Sequence, residues 1–466
     1  MPRWMRCLYC GLLQDEPGGV KECGRCGGEL APESDRLVVK NGSYVQAQME
    51  LDQVRGPAGR YFDRHLLVTL RTPEKVPPEH AAQTASGRPP LSFTAVLDVS
   101  GSMTGEKLAN AKEAVRQALR RLREGDSLSL VTFSDAVRCV LEPTEYNSQA
   151  GKIVESALQE ISAGGMTALC GGLELGIEKA LAGQRQTNLV LLLSDGQANV
   201  GETDLEKVGL RGLQARQQSI LVSTIGVGAD YNEALMVEVA TQGGGRFYHV
   251  LSASEIAAFL GAELGEVASL AARQAALELD LPAGGIIMPF SAAYAVQQQD
   301  SRVRILLGDI PSDLELEVPL RLTLPPQSAG SKLSLEGALS YQSPAGVQLA
   351  TPLNRVTVRY MDAEQFNQRD GVVAPVVERV LTQMKAAQLL DYSRARSLSP
   401  DVAEQRSLTG RAAVREYASL LGDERAEQED QENQAVYGFM ASSPSMAKSF
   451  VADAFAATRA PKRPKK

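Results

Sequence analysis

An α/β fold built on a doubly wound, mostly parallel sheet, with a flanking β-sandwich, a small N-terminal cysteine module and C-terminal helices, is what this sequence predicts. Three observations carry it. From about residue 90 to 262, short runs that are apolar on both faces alternate with amphipathic segments, the mark of a parallel sheet covered by helices. On both sides of that region, stretches of period-two alternation are broken by Pro, Gly and Ser, the mark of antiparallel strands. Near the N-terminus, four of the six cysteines fall in two close pairs.

The whole chain bounds the answer first. Its 466 residues are too many for one ordinary core, so several domains are expected. The 48 basic and 56 acidic side chains give a net charge of −8, so no overall field attracts nucleic acid, and only the terminal RAPKRPKK is basic. The opening MPRWMRCLYCGLL has no apolar leader core, and runs such as NLVLLLSDG are far shorter than a membrane span. A cytoplasmic protein of bacterial style with no membrane span is expected.

Residues 1–32 hold Cys7-x-x-Cys10 and Cys23-x-x-Cys26, with twelve residues between the pairs. Each pair can present two thiolates to one tetrahedral Zn²⁺ at about 2.3 Å. Gly follows the second cysteine of each pair, where the backbone turns tightly. The pattern resembles the zinc-ribbon family, with Cys7, Cys10, Cys23 and Cys26 as ligands. Four thiolates leave no open coordination position, so the expected role is structural. Disulfides or a redox motif are the alternatives, and a reducing compartment argues against the first.

Strands follow in SYVQAQMELDQV and RHLLVTLRT, within 40–88, before a Pro-rich connector. The central region opens with LSFTAVLD as a buried strand. GEKLANAKEAVRQALRRLR then places Leu108, Ala111, Val115, Leu119 and Leu122 on one helical face. DSLSLVTFS is the next strand and DAVRCVLEP a short edge strand beside it. After further helices, NLVLLLSDG reads as a central strand, SILVSTIGVG as another, and RFYHV as the last.

In such sheets a ligand sits outside the carboxyl ends of the strands, where the strand order reverses. Asp98 ends the first strand, Ser100 and Ser102 follow at alternate positions, Asp195 ends the central strand, and Thr167 lies in a Gly-rich loop before a helix. Five oxygen-bearing side chains can therefore converge on one crevice. Singly, a Ser or Asp at such a place is only a helix cap or a turn.

As an ordered set, DVSGS, GGMTAL and LLLSDG resemble the von Willebrand factor A domain with a complete metal-ion-dependent adhesion site. The resemblance implies that Ser100 and Ser102 bind a divalent ion directly, that Asp98 and Asp195 act mainly through water, and that Thr167 does either. Hard oxygen donors suit Mg²⁺, with Mn²⁺ or Ca²⁺ as substitutes. The ion's free position would take a carboxylate from a protein partner. That is recognition rather than catalysis, so no enzyme is expected.

Rival chemistries lack parts. DVSGS lacks the first glycine of a nucleophile elbow, the chain has only His65, His80 and His249, and no phosphate-binding loop with its lysine occurs. An Mg²⁺-dependent phosphohydrolase using Asp98 is the alternative, although Ser100 stands where a second acid would donate a proton. A nucleic-acid-associated scaffold acting through the cysteine module and the basic tail is another. Cys139 and Cys170 are expected to be buried and inert.

Beyond the central domain, ARQAALELDLP, SRVRILLGDIP, LELEVPLRLTLPP, KLSLEGALSYQSP and NRVTVRYMD, within 269–362, complete the sandwich. Strands before and after the central domain imply one sandwich with that domain inserted. The outer strands resemble bacterial proteins similar to calcium-activated chloride channel regulators and inter-α-trypsin inhibitor heavy chains. Residues 372–423 predict helices, with Val376, Val380 and Met384 in register. Residues 424–466 predict a polar linker and a basic, disordered tail, in which Phe450, Val451 and Phe455 form at most a short docking helix.

Overall fold

A computed structural model of the chain describes residues 4–7, 13–15, 30–32, 43–81, 90–195, 198–228, 231–250, 270–299 and 301–459. At the N-terminus, β1 (Trp4–Cys7) pairs antiparallel with both β2 (Leu13–Asp15) and β3 (Leu30–Pro32). Cys7 lies on β1, while Cys10, Cys23 and Cys26 fall outside the described residues.

The next strands are β4 (Gln46–Leu51), β5 (Arg55–Pro57) and β6 (Phe62–Arg71). The chain then enters the central unit: β7 (Leu91–Asp98), α1 (Glu106–Leu119), β8 (Ser127–Phe133), β9 (Val137–Glu145), α2 (Ser148–Glu160), α3 (Leu169–Ala182), β10 (Thr187–Ser194), α4 (Leu205–Gln217), β11 (Leu221–Val227), α5 (Glu233–Gln242) and β12 (Gly244–Val250). The sheet order is β12-β11-β10-β7-β8-β9, parallel throughout except for β9, which pairs antiparallel at the edge. Every residue of β7, β8 and β10 is buried. Alternation along β7 sends Phe93, Ala95 and Leu97 into the core under α1 and α2, and Val96 into the core under α3, α4 and α5. Side-chain oxygens start several helices here: Asn147, Asp204 and Asn232 each accept from backbone N–H groups of the first turn.

After the central unit come β13 (Leu270–Asp280), β14 (Ile286–Pro289), β15 (Ala295–Gln299), β16 (Arg302–Pro311), β17 (Glu315–Leu324), β18 (Lys332–Gln342), β19 (Gln348–Pro352) and β20 (Val356–Met361). They complete two sheets with strands from before the central unit. One runs β15-β16-β13-β18-β20-β5, with β19 on β18; the other runs β14-β17-β6-β4. The two sheets share one apolar core, in which Met49, Leu66 and Val68 join Leu277, Ile305 and Leu339.

Four helices end the described chain: α6 (Ala374–Leu398), α7 (Pro400–Ala418), α8 (Asp423–Ser442) and α9 (Pro444–Arg459). Residues 424–466 read from sequence as a disordered linker and tail; over 424–459 the structure corrects that reading, and 460–466 lie outside the described residues. Ala426, Tyr437, Met440, Ala447, Val451 and Phe455 are all buried. Residues from Tyr437 onward share a core with the central unit. Their stripe is interrupted by so many charged residues that composition hides it, and only the docking surface makes it a core. Val451 and Phe455 thus pack within the same chain, and Phe455 meets Phe247 of β12 edge-on at 6.0 Å between ring centroids. Among the described residues, no helix is long and apolar enough to cross a membrane.

Candidate functional site

β7 and β10 are neighbours, and the crossovers leave them in opposite directions, toward β8 on one side and β11 on the other. Register sets Leu97 beside Leu193, so Asp98 lies level with Ser194 and Asp195 follows just beyond. Both carboxylates are fully buried, at 0% exposure. Strand ends at a point of order reversal leave a crevice that neither crossover fills.

Asp98 Oδ1 accepts the backbone N–H of Ser100 at 2.9 Å, and Oδ2 accepts the Ser194 hydroxyl. Burial pushes the Asp98 carboxyl above its ordinary range; the bonds from Ser100 and Ser194 oppose the rise, and the nearby Asp195 charge adds to it. Ser100 is buried and Ser102 exposed, with their hydroxyl oxygens 3.1 Å apart. A short helical turn, Gly101–Met103, holds them there.

The loop that carries Thr167 is fixed against the loop after β7. Gly101 N–H donates to Gly165 O at 2.9 Å, and Gly164 N–H donates to Val99 O at 2.8 Å. These bonds lock the loop after β7 against the loop before α3. Gly165 has φ +85°, a conformation that favours glycine, and a Cβ there would collide with Asp135. Asp135 in turn accepts Met166 N–H at 2.6 Å. Thr167 N–H donates to Asn199 Oδ1 at 2.7 Å, which ties this loop to the segment after Asp195. Three loops far apart in sequence are thus cross-bonded around one point.

Asp195 lies just past the end of β10. Its Oδ2 accepts from Lys107 Nζ at 3.1 Å, while its buried Oδ1 has no hydrogen-bond partner among the described residues. A buried carboxylate oxygen without a partner is costly, and a cation is one group that can meet it, as a donor N–H or a water is. No three His, Cys, Asp or Glu side chains gather as a metal cluster among the described residues. The crevice instead mixes two carboxylates with hydroxyls, a donor set suited to a hard divalent ion.

The sequence reading did not single out Ser194, Lys107, Asn199 or Asp135. Ser194 had a signal, since it immediately precedes Asp195 in LLLSDG. Lys107 had a weak one, a basic residue in the first turn of a helix where the dipole opposes it, but its partner appears only in the fold.

The model of the von Willebrand factor type A domain matches residues 94–261. This segment is a von Willebrand factor type A domain. An uncharacterized protein of Synechocystis sp. is 28% identical to the chain over 279 residues, 57% of this chain and 66% of that protein. The uncharacterized Escherichia coli protein YfbK is 27% identical over 249 residues, 52% of this chain and 43% of that one. Human inter-alpha-trypsin inhibitor heavy chain H3 is 30% identical over 167 residues, 34% of this chain and 18% of that one. The chain thus spans less than two thirds of each of these relatives.

Among solved structures, a von Willebrand factor type A protein from Catenulispora acidiphila superposes with a TM-score of 0.62 at 16% identity, covering 90% of this chain and 98% of that one. The ArnB paralog VWA2 from Sulfolobus acidocaldarius gives 0.53 at 18%, covering 89% and 99%. These likenesses show fold alone. They extend past the A domain to the arrangement of sheets and helices around it.

Proposed function

We propose that the A domain holds a divalent ion, Mg²⁺ by preference and Mn²⁺ or Ca²⁺ as substitutes, among Asp98, Ser100, Ser102, Thr167 and Asp195, and that a carboxylate of a protein partner completes the ion's shell. A domains commonly serve as metal-dependent protein-interaction modules. The observation that carries the reading is the pair of fully buried carboxylates at adjoining strand ends, one with an oxygen that has no partner among the described residues. The bound ion would supply an electrophilic position for the partner's oxygen. The chain's own residues fix the shell: Ser194 and the Ser100 N–H orient Asp98, and Asn199 orients the Thr167 loop.

The protein is, on this reading, a cytoplasmic, non-enzymatic adaptor. The four N-terminal cysteines, Cys7, Cys10, Cys23 and Cys26, would carry a structural Zn²⁺, whose thiolates require a reducing compartment. The flanking two-sheet unit is read as a β-sandwich in which the A domain is inserted.

Calorimetric titration of Mg²⁺ into the chelator-treated full chain tests this. Binding to the wild type and its loss in Asp98→Ala, with the circular dichroism spectrum unchanged, is the expected result. Partner proteins recovered with the tagged chain should fall away in EDTA and with Asp98→Ala alike. Retention of every partner under both conditions would sink the adaptor reading.

A further inference from the structure

Lys107 is the second residue of α1, one turn past the Asp98–Ser102 loop. Its ammonium lies 3.1 Å from Asp195 Oδ2, and its side chain is 22% exposed. Two features make this more than a surface ion pair. Positive charge in the first turn of a helix is opposed by the helix dipole, so this position is not one that favours lysine for its own helix's sake. The stem is also given a channel. Gly228, at the end of β11, has φ +85°, and a Cβ there would come within 2.8 Å of Lys107 Cε. The backbone just past the carboxyl end of β11 is therefore left bare where the lysine passes on its way to Asp195.

From this geometry we infer that Lys107 is a tethered cation that competes with the divalent ion for Asp195 and so weakens ion binding. The inference rests on the metal reading above. Without the ion, the ammonium balances one of two buried carboxylates that would otherwise repel each other. With the ion present, ammonium and metal stand as like charges on one buried oxygen pair, where water screens them poorly. Ion binding then has to displace the lysine from Asp195 or bear its repulsion. The wild-type site is accordingly tuned to be filled at high ion concentration and to empty reversibly.

The test is calorimetric titration of Mg²⁺ and Mn²⁺ into the full chain for wild type, Lys107→Met, Lys107→Gln and Lys107→Arg, with melting curves in EDTA and in saturating Mg²⁺. Lys107→Met and Lys107→Gln should bind both ions at least tenfold more tightly, and Lys107→Arg should stay near wild type. The neutral variants should melt lower than wild type in EDTA yet gain more from Mg²⁺. A merely structural lysine would not produce those opposite signs. Lys107→Gln keeps a hydrogen-bond donor and so serves if Lys107→Met fails to fold without the ion. Equal affinity in all four proteins, or weaker binding in the neutral variants, overturns the inference while leaving the metal site standing. Absence of ion binding in every protein overturns the metal reading and this inference with it.

Discussion

Asp98 and Asp195 illustrate how burial at adjoining strand ends changes the chemistry of ordinary side chains. Each sits at 0% exposure, and Asp98 is pushed upward mainly by that burial. The two cysteines outside the N-terminal pairs show the opposite use of burial, as protection. Cys139 is half-buried and its thiol is pushed up to about 11, first by burial and then by Glu142. Cys170 is buried, and its thiol is raised by burial and by Glu174. Both are thiols rather than thiolates near neutral pH, and only the thiolate attacks. Peptide mapping after brief iodoacetamide treatment of the folded chain at pH 7.5 should find both unmodified. Cys7, Cys10, Cys23 and Cys26 should become alkylated only after a zinc chelator is added. Rapid labelling of Cys170 in the folded chain, or of the four N-terminal cysteines without chelator, would contradict the respective halves of this prediction.

At the scale of elements, the C-terminal helices act as a strap across two units. Arg379 of α6 donates to Glu317 of β17 and to Glu50 of β4, both at 2.8 Å, and to the Thr69 hydroxyl of β6 at 2.6 Å. Both glutamates are largely buried, so one guanidinium balances two carboxylates that have little access to water. At the other end of α6, Arg396 reaches Glu233 at the start of α5 at 2.9 Å. Lys448 of α9 stands 4.7 Å from the Tyr231 ring centre. Arg379→Ala should destabilise the chain by about 3 kcal/mol, the cost of leaving buried charge without its partner. Chemical denaturation measures it, and a loss below about 1 kcal/mol, typical of an exposed pair, would show the network to be solvated.

Over the whole molecule, the A domain and the two-sheet unit meet through arginines of each. Arg216 of α4 donates to the carbonyls of Ala293 and Leu307, and Arg273 of β13 donates to the carbonyl of Gln186. Asp309 of β16 lies beside both guanidinium groups and accepts Gln274 N–H at 2.9 Å, yet burial raises its carboxyl above the ordinary range. A carboxyl raised on folding favours the folded state when protonated. Its contribution is present below the unfolded value of about 4 and is lost as pH rises through the raised folded value. Asp309→Asn keeps an acceptor for Gln274 and removes the charge. The variant should therefore unfold at higher urea than the wild type at pH 8, and the gap should narrow at pH 4.5. An unchanged gap would mean that Asp309 does not titrate with the fold.

Much of this was legible in the chain itself. Period-two and period-3.6 patterns set the alternation of the A domain, because burial on both sheet faces forces continuous apolar strands such as LSFTAVLD and NLVLLLSDG. DVSGS, GGMTAL and LLLSDG fall where the sequence put them, at the end of β7, in the loop before α3 and at the end of β10, and the five oxygen side chains they carry are the basis of the proposed site. Tertiary structure alone decided the rest. Ser194 bonds Asp98 only because parallel register sets the two side by side. Lys107 meets Asp195 across 88 residues of sequence, through a channel that Gly228 leaves open. The sparse apolar stripe of the last two helices becomes a core only because Ala426 joins the two-sheet unit and Tyr437 to Phe455 join the A domain. A sequence shows which side chains could be buried or charged; which ones face each other depends on long-range packing, which no local pattern encodes.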